Sequence, residues 1–149
     1  MKQMTGLTVI WVLGLSMAAA GFDLRKGLIP NAITFPSLIL GIAFHSATNG
    51  WNGLVFSLLG ATAAVLVPLL LFCRNAMGGG DVKLLAATGA FLGAGPGLWL
   101  EFWAFIAASV WGLGVLSRRH GPPSARICFG PFVLAAAIFM TAAPGLRFF

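Results

Sequence analysis

The sequence predicts an all-α polytopic membrane protein: six transmembrane helices in a single domain over residues 1–149, with both termini on the outer, periplasmic side. Three observations predict it. Charged residues make up 8% of the chain and hydrophobic ones 59%, whereas an ordinary soluble domain is about a quarter charged. The apolar residues gather into charge-free runs long enough to cross a bilayer. The basic residues fall almost entirely in alternate loops. So few charges cannot clothe a soluble surface, which excludes a cytosolic enzyme, a secreted disulfide scaffold and a disordered tail.

The first helix, residues 5–22, is the apolar run that stops at Asp23, Arg25 and Lys26. Lys2, that run and Ala18-Ala19-Ala20 also resemble a cleavable signal peptide. The basic pair that follows keeps this end in the cytoplasm and favours a retained helix. The next run, 27–73, is too long for one span of about 20 residues. The polar, glycine-bearing segment His45 to Gly53 (HSATNGWNG) divides it into helices 32–46 and 53–73. Pro30 and Asn31 start the second helix, since Pro suits a first turn and Asn suits capping. Gly93 to Gly97 (GAGPG) separates a short fourth helix, 81–93, from a fifth, 97–116. The sixth covers 128–144, and Gly130-Pro131 is expected to kink it or to form a cavity wall near its cytoplasmic end.

With this count, seven of the nine basic residues lie in the odd loops, and only Lys2 and Arg147 lie opposite. The bias sets the odd loops in the cytoplasm. The net charge of +6 is scattered singly or in pairs between apolar runs, so it reads as topology and not as a nucleic-acid surface. Arg118 and Arg119 are expected to meet anionic lipid headgroups. Cys73 and Cys128 have neither CxxC spacing nor a nearby His set, so no metal, cofactor or disulfide framework is expected, only helix packing.

Three acids remain: Asp23, Asp81 and Glu101. An acid near hydrocarbon is costly unless paired or hydrated, which makes it a functional candidate. Asp23 closes the first helix and Asp81 opens the fourth, so both lie toward the cytoplasm at similar depth. Residues 81–93 give roughly 20 Å of helix against about 30 Å of hydrocarbon. The start of that helix must therefore be submerged. Gly78-Gly79-Gly80 is expected to form a non-helical approach below the surface, tolerated where it lines a wet cavity and open enough for an extended peptide. Glu101 reads as an outer interfacial residue beside Trp99 and Trp103. His45, in an outer loop, is expected to have no catalytic role.

Two aspartates at one depth can share a proton, because like charges a few ångströms apart cannot both ionise. The ionised partner can activate water and the protonated one can donate to a scissile carbonyl. The same pair could instead relay protons in a small membrane carrier. Composition leaves these two open, with a structural role third. Lys83, about 200° around the helix from Asp81, is expected to snorkel to headgroup phosphates or to orient substrate. Arg25 either holds Asp23 ionised or enforces topology. Asn31 facing the water pocket is the alternative to capping.

The segment Met77 to Leu84, MGGGDVKL, resembles the GxGDxK signature of the type IV prepilin peptidase family of membrane aspartyl proteases. Asp23, Arg25 and Ile29-Pro30-Asn31 resemble that family's first aspartate and its downstream I-P-N. Ile127 to Phe132, ICFGPF, is similar to a late I-P-x-G-P-F segment, with Cys128 where a proline is common. The resemblance implies a GxGD protease-like bundle in the bacterial inner membrane. It implies Asp23 and Asp81 as the catalytic pair, facing the cytoplasm. It implies a prepilin substrate, cut after its short basic leader. Gly78, Gly79, Gly80, Lys83, Arg25, Pro30, Asn31, Gly130 and Pro131 are the candidates to bind substrate or support the pair. Larger relatives carry an N-terminal cytoplasmic part with paired cysteines and methylate the new terminus. This chain starts with a helix and lacks such pairs, so it is similar to the short peptidases of tight-adherence (Flp) pilus systems, and methylation is not expected.

Overall fold

The computed structural model describes residues 6–117 and 128–142. The described residues form α1 (Gly6–Lys26), α2 (Asn31–Cys73), α3 (Gly79–Leu92), α4 (Ala94–Ser117) and α5 (Gly130–Ala142). All regular structure among them is helical. α1, α2 and residues Ala94–Val115 of α4 are long and apolar enough to cross a membrane. The expected positions at Lys2, Arg118, Arg119, Arg126 and Arg147 lie outside the described residues.

α2 is one helix in name only. Its 43 residues are interrupted at Gly50, whose φ of 59° and ψ of −136° are open to glycine and strained for other residues. The chain doubles back there, because Ser57 Oγ donates to the carbonyl of Gly41 at 3.2 Å, a pair that a straight helix would hold roughly 24 Å apart. The two arms are therefore residues 31–49 and 51–73. The expected nine-residue break shrinks to one position. The polar stretch stays helical and satisfies its hydroxyls within the helix: Ser46 Oγ donates to Ile42 O at 2.7 Å and Thr48 Oγ1 to Phe44 O at 2.9 Å. His45 is accordingly a helical residue, not a loop one: Nε2 lies 2.9 Å from Phe91 O, and the ring packs on Phe44 and Phe56.

α3 is the central element, packed by α1, α2 and α4. Every residue from Leu84 to Leu92 is buried, which is the signature of a helix apolar on all sides. Glycines let the backbones touch. A Cβ on Gly60 would collide with Gly89 O, and one on Gly89 with Gly60 O and Ala64. Such close crossings are how helices pack where hydrocarbon offers no hydrophobic drive. α5 completes the bundle against α1 and α4.

Two further boundaries differ from expectation. The GAGPG break reduces to Gly93 (φ 80°), where the Phe56 ring occupies the place a side chain would take. α4 begins at Ala94, with Pro96 in its first turn, where a missing N–H costs nothing. Likewise Pro131 falls in the first turn of α5, so Gly130-Pro131 starts a helix and does not kink one.

Glu101 is not the outward-facing residue that an interfacial reading expects. The residue lies two turns into the helix on the face of Gly97, Leu100, Ala104 and Ala108, and is 3% exposed. Neither carboxylate oxygen has a hydrogen-bond partner among the described residues. The aromatic group does exist: Trp99 stacks on Phe102 and meets Trp103 edge-on. Successive helical residues point about 100° apart, so the carboxylate can turn inward while Phe102 stays exposed.

Candidate active site

Asp23 lies in the last turn of α1 on the stripe that carries Val12, Ser16, Ala19 and Ala20 into the bundle, and is 6% exposed. Its Oδ2 accepts the backbone N–H of Gly130 at 2.8 Å. Its own carbonyl accepts the Cys128 thiol at 3.6 Å. The start of α5 is thus moulded around Asp23. A Cβ on Gly130 would sit 3.1 Å from Ala20 Cα and 3.2 Å from Asp23 Cβ, tighter than side chains tolerate without a shift.

Asp81 is half-buried in the first turn of α3. Its backbone N–H donates to Gly78 O at 3.1 Å, and its carboxylate lies beside the backbone of Gly78. Asp23 and Asp81 interact electrostatically with one another, and both act on Cys128. Two acids far apart in sequence are therefore brought near enough to act on each other electrostatically. Cys128 precedes α5, and burial followed by the charges of Asp23 and Asp81 pushes its thiol up.

The glycine run has a different use from the one expected. Gly78 is extended (φ −76°, ψ 143°), but Gly79 and Gly80 are already helical. What they permit is contact. A Cβ on Gly80 would meet Ile29 Cβ at 3.0 Å, and one on Gly79 the Phe72 ring at 3.2 Å. The approach to α3 therefore packs flat against the α1–α2 connection and the end of α2.

Lys83 is not a free headgroup anchor. Its Nζ donates to Asn31 Oδ1 at 2.8 Å and lies 5.4 Å from the centre of the Phe35 ring. It does not pair with Asp81, as their angular separation predicts. Asn31 is also not the cap: Pro30 (φ −66°, ψ 138°) occupies that position with no side-chain bond. With its side chain turned to Lys83, Asn31 joins the I-P-N and GGGDxK segments across the site. Arg25 is exposed and forms no ion pair among the described residues, so the contact made to the Asp23 carboxylate is a backbone amide. Pro131 stands behind Gly130 in the first turn of α5. Among the described residues there is no group of three or more His, Cys, Asp or Glu that could hold a metal ion.

The amide of Gly130 and the thiol of Cys128 are the partners that residue types alone did not reveal. A backbone donor has no letter in the sequence, and the only pointer was the ICFGPF string itself.

Comparison with known proteins supplies the context. The chain is 32% identical over 140 residues to the prepilin leader peptidase/N-methyltransferase of Aeromonas salmonicida (strain A449), an alignment covering 89% of this chain and 47% of the relative. The prepilin leader peptidase/N-methyltransferase of Aeromonas hydrophila gives the same identity and coverage. That of Dickeya chrysanthemi is 38% identical over 87 residues, 54% of this chain and 30% of the relative. The chain spans about half the length of the Aeromonas relatives it matches, 47% in each case. No solved structure matches it. The profile of the type IV leader peptidase family matches residues 9–113, from α1 through most of α4 and including both aspartates, and the chain belongs to that family.

Proposed function

We propose that this protein is an aspartyl endopeptidase that removes the short basic leader of a prepilin at the cytoplasmic face of the bacterial inner membrane. The observation that carries the reading is the electrostatic interaction between Asp23 and Asp81, two acids from distant parts of the sequence, within a leader peptidase family member. Residues 1–149 act as one membrane-embedded domain. The two arms of α2 count separately, so six spans set both termini in the periplasm and the α1–α2 and α2–α3 connections in the cytoplasm. Membrane lipids cover the exposed apolar faces.

In this reading one carboxylate of the pair is ionised and takes a proton from a water molecule. The resulting oxygen nucleophile adds to the scissile carbonyl, and the protonated partner donates to the carbonyl oxygen. Collapse of the tetrahedral species expels the amine, which leaves with a proton returned from the pair. The junction between leader and apolar helix suits this site because extended backbone exposes its carbonyls, whereas helical backbone spends them on its own hydrogen bonds. Gly78, Gly79, Gly80, Pro30, Asn31, Lys83, Gly130 and Pro131 support the pair, while Arg25 serves topology. The substrate is a type IV-like or Flp-type pilin precursor.

Incubation of the protein in nanodiscs with a prepilin, followed by mass analysis of the new N-terminus, tests the reading and reports methylation in the same spectrum. Asp23→Asn and Asp81→Asn are each expected to lower cleavage by about 10²–10⁴-fold, the scale of general acid–base catalysis, while the protein still inserts. Cleavage that persists in either variant would refute the assignment.

A further inference from the structure

The segment from Cys128 to Gly130, which leads into α5, grips Asp23 at two points: the Cys128 thiol on its carbonyl and the Gly130 amide on its carboxylate. Resting on the peptidase reading above, we propose that the backbone N–H of Gly130 is the positioning group of Asp23. It holds Oδ2 so that the other carboxylate oxygen is turned to the water shared with Asp81.

Four features of the site carry this. The bond is 2.8 Å long and buried, in the range of charge-assisted hydrogen bonds. The donor belongs to the first turn of α5, where backbone N–H groups have no acceptor within the helix and the peptide dipoles add positive character. No neighbouring amide could replace it: Pro131 has no N–H, and the amide of Phe132 is engaged by Phe129 O at 3.0 Å. Finally, glycine favours the close approach, since a Cβ at 130 would press on Ala20 Cα at 3.1 Å, Ala20 N at 3.2 Å and Asp23 Cβ at 3.2 Å. α5 therefore belongs to the active site although it contributes no catalytic side chain. Fixing one oxygen of a carboxylate fixes the plane of the other, which is what a reacting group needs before substrate arrives.

The experiment replaces single amides by esters, which delete an N–H and keep the side chain. Cell-free synthesis into nanodiscs would place glycolic acid at position 130 or phenyllactic acid at position 132, and kcat and KM would be measured for leader cleavage. The ester at 130 is expected to lower kcat by about tenfold to a hundredfold, the scale of a hydrogen bond to a charged group, with KM changed by less than about twofold. The ester at 132 removes a helix hydrogen bond of similar length and is expected to leave kcat within about twofold. Equal effects of the two esters, or an unaffected kcat at 130, would overturn the proposal. Isotope-edited infrared spectra of labelled Asp23 give an independent readout: its carboxylate stretch should move with the ester at 130 and not with that at 132. An unmodified chain that cleaves nothing would instead overturn the peptidase reading, and the infrared result separates the two failures.

Discussion

Asp23 and Glu101 are both nearly sealed from solvent, at 6% and 3% exposure, yet among the described residues only Asp23 has a donor on its carboxylate. The contrast separates an acid that the fold equips from one that it merely tolerates. A buried polar group left without a partner costs about 1–3 kcal/mol, and more if it is charged. Glu101→Leu is therefore expected to raise the midpoint of thermal unfolding in detergent by several degrees and to leave leader cleavage intact. A lowered midpoint would show that Glu101 has a partner beyond the described residues. Cys128 offers a chemical readout at the same scale. Burial and the two aspartates push its thiol up, so at a given pH less of it is thiolate, the reactive form. Cys128 should alkylate more slowly than the exposed Cys73 at neutral pH. Asp81→Asn, which removes a repelling negative charge, should lower the thiol's pKa and speed its labelling, as followed by mass spectrometry.

Between elements, α3 is held at both ends by contacts of different kinds. At the end that carries Asp81, Lys83 binds Asn31 across the site and Gly80 lies against Ile29. Lys83→Met and Asn31→Ala break the same bond, so their combined effect on leader cleavage should be clearly less than the sum of the singles, as a double-mutant cycle would show. Strict additivity would mean that the tether has no energetic weight. At the other end the Gly60–Gly89 crossing leaves no room for even a methyl group. Gly89→Ala must push α3 from the second arm of α2, and overpacking of this kind costs about 1–3 kcal/mol. A fall in the yield of monodisperse protein on size-exclusion chromatography is the expected result.

For the molecule as a whole, the arrangement of spans makes a prediction that labelling can check. Cysteines placed at Leu28 and Asn75 should react with an impermeant reagent from the cytoplasmic side, and one placed at Asn49 from the periplasmic side. Labelling of all three from one side would dismantle the six-span reading and the common depth of the aspartates with it.

The division of the chain into apolar segments, the turn in α2 and the candidacy of Asp23 and Asp81 were legible in the letters alone. All three follow from composition along the chain: hydrocarbon demands long uncharged runs, and an acid beside them is costly unless it has a use. Their extents were less legible: the polar stretch, with Ser46 and Thr48 bonded to their own helix, stays helical up to the residue before Gly50. The side on which Glu101 faces depended on how α4 packs against its neighbours, which the residues around it do not specify. Tertiary structure alone decided what Asp23 touches, that Lys83 meets Asn31, and that the glycines before Asp81 serve contact more than unusual dihedrals. The physical reason is that a hydrogen bond between distant segments depends on distances of a few tenths of an ångström between helices, and its backbone half leaves no mark in the sequence.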